Sequence, residues 1–71
     1  MTTVAVTGSS SLACVGYAAE AETLEVTFCR GARYRYFGVP EAVHIGLLGS
    51  DSKGRYFNAR IRSAFAFEVV R

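Results

Sequence analysis

Residues 23–37 read TLEVTFCRGARYRYF. Leu24, Val26 and Phe28 alternate with Thr23, Glu25 and Thr27. A period of two places one set toward a core and the other toward water, as in a half-buried strand. That strand is expected over Thr23–Cys29. Arg30-Gly31 then supplies a tight turn, and Ala32–Phe37 returns as an antiparallel partner. In the returning strand Tyr34 and Tyr36 fall on one face and Arg33, Arg35 and Phe37 on the other. Such a hairpin has an apolar face that other elements must cover.

Upstream of the hairpin, Leu12–Ala18 reads as a strand in which Val15 and Tyr17 alternate with smaller residues. Ala19–Glu22 is the turn that joins it to the hairpin. Ser9–Ser11 is a polar break. Residues 1–8 carry β-branched side chains without end signals, and read as a loose tail or a short added strand.

Downstream, Gly38-Val39-Pro40 ends the hairpin. Pro40 suits the first turn of a helix, with Glu41 near its positive end. Ala42–Leu48 follows, with Val43, Leu47 and either Ile45 or Leu48 inward, and Gly49 ends it. Ser50–Arg62, SDSKGRYFNARIR, reads as a second helix. A Ser or Asp among residues 50–52 is expected to accept a hydrogen bond from its first backbone N–H groups. Gly54, Phe57 and Ile61 form its core-facing stripe. Lys53, Tyr56 and Arg60 flank that stripe, and Arg55 and Arg62 lie near the wet side. Ala64–Arg71 alternates Phe65, Phe67 and Val69. It reads as a closing strand, an extended arm over the core, or an arm lent to a neighbouring subunit. The expected fold is α+β over residues 1–71, a small antiparallel sheet of about three strands (β-β-β-α-α) with two short helices and an extended C-terminal segment.

At 71 residues the chain is one domain with a limited core, yet 51% of its residues are hydrophobic. Not all of that surface fits inside, so a homo-oligomer is expected. Cys14 and Cys29 form no CxxC and there is one histidine, which argues against a metal site. The plain reading is two small buried thiols in a reducing compartment. The N-terminal residues lack the basic start and apolar core of a signal peptide, and no apolar run approaches the ~20 residues that span a bilayer. A cytoplasmic protein without membrane association is expected.

The net charge of +2 hides an asymmetry. Residues 1–29 have three Glu and no Lys or Arg, giving −3; residues 30–71 have all eight basic residues against three acids, giving +5. A local basic surface attracts anions whatever the molecule's sum. No catalytic constellation accompanies it. His44 stands alone in the first expected helix, the carboxylates are scattered, and neither a GxxxxGK[ST] loop nor a strand-linked GxGxxG is present. The chain therefore reads as a non-enzyme without cofactor.

What remains is cations beside aromatics. Arg33, Arg35, Lys53, Arg55, Arg60 and Arg62 can neutralise phosphates, and Tyr34, Tyr36 and Tyr56 can stack on bases. The start of the second helix at Ser52-Lys53-Gly54 offers free N–H groups, and Gly54 lets an anion approach. Each has an ordinary alternative. The tyrosines serve equally as hairpin packing, Lys53, Arg55 and Arg62 as solubilising charges, Arg60 as a partner of Asp51 or Glu41, Gly54 as a close helix–sheet contact, and Asn58 as a tolerated polar residue.

Several motifs stand together: Val15-Gly16-Tyr17, Leu24-Glu25-Val26-Thr27-Phe28, Gly31 with Tyr34-Arg35-Tyr36, and Gly38-Val39-Pro40. Leu47-Leu48, Ser52-Lys53-Gly54-Arg55-Tyr56-Phe57-Asn58 and Ile61-Arg62 continue them. The combination resembles the KTSC domain, a short module named for its place at the C-terminus of some lysyl-tRNA synthetases. The resemblance spans roughly residues 9–67. It implies a compact α+β module with RNA binding suggested. The chain departs from the family's common pattern at Ala18, where an acidic residue is frequent, and at Ala66, where a proline is frequent; the latter bears on the path of the tail.

The expected function is a non-enzymatic binding module for phosphate-bearing ligands, RNA or single-stranded nucleic acid first. A small oligomeric binder of nucleotides or cyclic oligonucleotides is the alternative. A protein–protein adaptor docking through Phe65, Phe67 and Val69 is the third reading.

Overall fold

The structure is a computed structural model that describes residues 2–6 and 11–70. Its elements run β1 (Thr2–Ala5), β2 (Leu12–Ala18), β3 (Thr23–Phe28), β4 (Arg33–Tyr36), α1 (Glu41–Gly49), α2 (Lys53–Arg60) and β5 (Phe67–Val70). The five strands form one antiparallel sheet in chain order, β1-β2-β3-β4-β5. The α+β class holds, with five strands instead of about three.

The hairpin of β3 and β4 is the centre of that sheet. Its register sets Leu24 opposite Tyr36, Glu25 opposite Arg35, Val26 opposite Tyr34 and Thr27 opposite Arg33. The turn closes with Gly31 N–H donating to Phe28 O at 2.8 Å and Phe28 N–H donating to Ala32 O at 2.8 Å. Gly31 sits at φ +96°, a conformation that costs a residue with a Cβ but not glycine. β2 pairs with β3 on the other side, with an irregularity between Leu12 and Cys14 that bends the strand at its start.

Residues 2–5 form an added strand rather than a loose tail, pairing with residues 14–17 of β2. All four are exposed, so no side-chain alternation marked them in the sequence. The C-terminal segment is a closing strand of the same chain. It pairs with β4, Phe67 opposite Tyr36 and Val69 opposite Tyr34.

Both helices cover one face of the sheet, and the core lies between. Leu12, Val15, Leu24, Val26, Val39, Leu47 and Ile61 are fully buried there, with Tyr17, Tyr36 and Phe57 nearly so. Each such aliphatic side chain contributes roughly 1.5–3 kcal/mol of transfer free energy. α1 turns Val43, Leu47 and Leu48 toward the core and leaves Ile45 61% exposed, which resolves the choice between Ile45 and Leu48. Pro40 caps α1 in an extended conformation instead of opening its first turn. α2 is shorter than expected, and Ser52 caps it without a side-chain hydrogen bond. The hydroxyl of Ser50 closes the preceding turn instead, accepting from Ser52 N–H at 3.2 Å and donating to Ser52 O at 3.0 Å.

The other face of the sheet is less wet than its sequence pattern predicts. Thr23 is buried and Glu25 is half-buried under its cross-strand arginine neighbours. The expectation of two buried thiols also needs correction. Cys14 is half-buried, and Cys29 is exposed because β3 ends one residue before it. Among the described residues no helix is long and apolar enough to cross a membrane.

Candidate ligand cleft beside the second helix

The ten residues singled out from the sequence divide into three places. Arg33 and Arg35 lie on the sheet face away from the helices, because strand parity opposes them to Tyr34 and Tyr36. There Arg35 donates to Glu25 Oε2 at 2.9 Å, and lies 3.9 Å from Glu68 Oε2. Arg33 lies 3.9 Å from Glu25 Oε1. Register explains the cluster, since Glu25, Arg35 and Glu68 form one row across three strands. Their charge is largely spent within the sheet.

The second place is the start and one flank of α2. Lys53 Nζ donates to Ser50 O at 3.1 Å, which holds the ammonium over the turn. Gly54 faces the sheet. A Cβ there would lie 3.4 Å from Ser11 Oγ and 3.7 Å from Ser11 Cβ, about ordinary van der Waals contact, so α2 packs beside Ser11 at this point without requiring glycine. Arg55, Tyr56 and Arg60 line a shallow hollow of about 350 Å³ with Ser50, Asp51 and Ser52. Among the described residues Arg60 forms no ion pair with Asp51 or Glu41. Tyr56 is half-buried between the helices, its ring lying over Gly46 of α1. An added Cβ at Gly46 would overlap the hydroxyl and lie 2.9 Å from Cζ. Tyr56 is thus chiefly a helix–helix contact.

The third place holds Tyr34, Tyr36 and Arg62. They line a cleft of about 770 Å³ on the other flank of α2. Tyr36 is 3% exposed and, with the buried Phe57, forms the floor. Burial pushes its hydroxyl pKa up; nearby Tyr34 adds to this and Arg62 opposes it. Phe28, Tyr34 and Phe67 form the walls. Ring centroids lie 5.5 Å apart for Phe28–Tyr34, 5.5 Å for Tyr34–Phe67 and 5.4 Å for Tyr36–Phe67. These are the tilted and edge-on arrangements that aromatic quadrupoles favour. Arg30 from the hairpin turn, Asn58 from α2 and Arg62 after it are exposed and complete the rim.

Arg30, Asn58, Phe28 and Phe67 were not among the ligand-binding residues expected from the sequence, where Phe67 stood only as part of an adaptor surface. Phe28 was visible as the last inward position of its strand. Phe67 was not, because its place depends on which strand the C-terminal segment joins. Arg30 and Asn58 carry no local signal, since a turn arginine and an exposed helix asparagine are ordinary.

His44 sits apart from all three places. Its ring stacks on Tyr17 at 4.5 Å and 15°, and Tyr17 donates its hydroxyl proton to Val39 O at 2.6 Å. Burial holds the histidine pKa below its ordinary value, with Glu41 opposing. The pair anchors α1 on the sheet.

Fold and cleft together define a small α+β domain, a five-stranded antiparallel sheet whose two helices leave an aromatic cleft at one edge. The KTSC domain family model matches residues 8–65, and the chain belongs to that family. It is 54% identical over 50 residues to an uncharacterized protein of Stutzerimonas stutzeri, covering 70% of each. It is 40% identical over 54 residues to a lysine–tRNA ligase of Nostoc punctiforme, covering 76% of this chain but 10% of the ligase. The crystal structure of a KTSC domain protein from Yersinia pestis superposes with a TM-score of 0.91 at 32% identity, covering 99% of this chain and 97% of the other.

Proposed function

We propose that the domain is a non-enzymatic binding module for single-stranded nucleic acid, RNA before DNA. One observation carries the reading. Arg30 and Arg62 stand at the rim of an aromatic cleft, and among the described residues neither is ion-paired. Unpaired guanidinium groups next to ring faces are the combination that grips a phosphodiester chain whose bases are unstacked. Arg55 and Arg60 extend the positive surface across α2. A related segment within lysine–tRNA ligases, enzymes named for a tRNA substrate, supports RNA as the ligand. Arg33 and Arg35 are left out of the contact surface because Glu25 and Glu68 already engage them.

Fluorescence anisotropy of a labelled uridine hexamer, titrated at several salt concentrations, tests this. Binding should weaken as salt rises, with a logarithmic slope of about −0.7 per phosphate contacted. Affinity indifferent to salt would refute the reading. The cleft volume favours one alternative, a free nucleotide or cyclic oligonucleotide, because about 770 Å³ is the size of a small-molecule site. Calorimetry separates them. A fixed stoichiometry with a mononucleotide marks a pocket, and affinity that rises with oligomer length marks a surface.

A further inference from the structure

The geometry points to a more specific role for the cleft, resting on the nucleic-acid reading above: it is a subsite for one unstacked nucleobase, and Phe67 of β5 completes it. The ring of Phe67 is 52% exposed, a large apolar surface left at the mouth of a cleft that also holds charged and amide groups. Its inner contacts are with Tyr34 and Tyr36, tilted at 40° and 36°. No other ring contact covers its remaining surface among the described residues. The exposure follows from position. β5 is the edge strand beyond β4, and Phe67 shares the helix-side face with Tyr36 and Leu24 at the same level.

A nucleobase matches what this place lacks. It has an apolar face to lie against Phe67 and Tyr34, and a polar edge for an amide that both donates and accepts, as Asn58 does. It also brings a phosphate, which Arg30 and Arg62 at the rim would neutralise. These two come from different parts of the chain, the β3–β4 turn and the residues after α2, so the site exists only in the folded domain. The segment matched by the family model ends at residue 65, two residues before Phe67. In this assignment the closing strand contributes a binding element as well as an edge.

The test uses two uridine hexamers, one with a central 2-aminopurine and one with an abasic site there. The intact protein is expected to quench 2-aminopurine and to prefer the base-containing hexamer by about tenfold. Phe67→Ala should abolish both quenching and preference, with the circular dichroism spectrum and urea midpoint showing a retained fold. Phe67→Trp should keep the preference. It also introduces the sole tryptophan of the chain, whose emission should drop on binding. Equal affinity for the two hexamers, or a preference that survives Phe67→Ala, would overturn the base subsite while salt-dependent binding leaves the backbone reading standing. Failure of both hexamers to bind in a salt-dependent way would overturn both readings.

Discussion

The two faces of the sheet carry arginines in opposite circumstances. On the outer face Arg33 and Arg35 are met by Glu25 and Glu68 within 3.9 Å. On the helix side Arg30 and Arg62 border aromatic rings without an acidic partner among the described residues. An arginine's availability depends less on local sequence than on which face it occupies and what the register sets across from it. Arg33 and Arg30 are three residues apart, and one turn separates an internal pair from a cation that has no ion pair among the described residues.

This contrast can be broken most severely from below, by removing the floor of the cleft. Phe57→Ala should destabilise the domain by about 3–5 kcal/mol in urea denaturation, because Phe57 is 4% exposed and packs edge-on against Phe28 and Tyr36. A loss under 1 kcal/mol would mean that the cleft is not built on the core. Gly46→Ala should cost about 1–3 kcal/mol by overpacking, offset by the ~1 kcal/mol that alanine gains over glycine inside a helix, since the new methyl must push aside the phenol end of Tyr56. The chemical denaturation midpoint reads that loss directly, and an unchanged midpoint would show that Tyr56 yields freely.

The arginines themselves separate the two faces by their response to salt. Arg30→Ala and Arg62→Ala should each flatten the salt slope of hexamer binding by about 0.7 while leaving stability intact. Arg33→Ala and Arg35→Ala should leave that slope unchanged. Arg35→Ala should cost stability of about 0–1 kcal/mol, as expected of a partly exposed pair. Reversed roles in these four titrations would invert the assignment of faces.

His44 offers a smaller effect on the helix side. Its pKa is depressed by burial, so the unfolded chain takes up the proton first as pH falls. The contribution is fully present above the ordinary imidazole pKa of about 6.5 and is lost as pH falls below it. The thermal midpoint of the wild type should therefore decline more steeply than that of His44→Gln between pH 7 and 5. Parallel declines would assign the pH dependence to the carboxylates.

Much of this was legible in the amino-acid order. The alternation of Leu24, Val26 and Phe28, the Arg30-Gly31 turn, and the spacing of Phe57 and Ile61 determine the hairpin and the inner stripe of α2, because side-chain periods of two and about 3.6 are local properties of the backbone. The same periodicity separated Tyr34 and Tyr36 from Arg33 and Arg35. Tertiary structure alone decided the rest. Thr2–Ala5 is a strand through pairing rather than through any burial pattern of its own, and Phe67 meets Tyr36 only because β5 chooses the free edge of β4. Arg30, Asn58 and Arg62 gather at one rim across 33 positions of sequence, while Glu25 and Glu68 reach Arg35 from two different strands. Strand pairing brings together residues far apart in the chain, so neither the cleft nor the neutralised arginines could be read from neighbours in sequence.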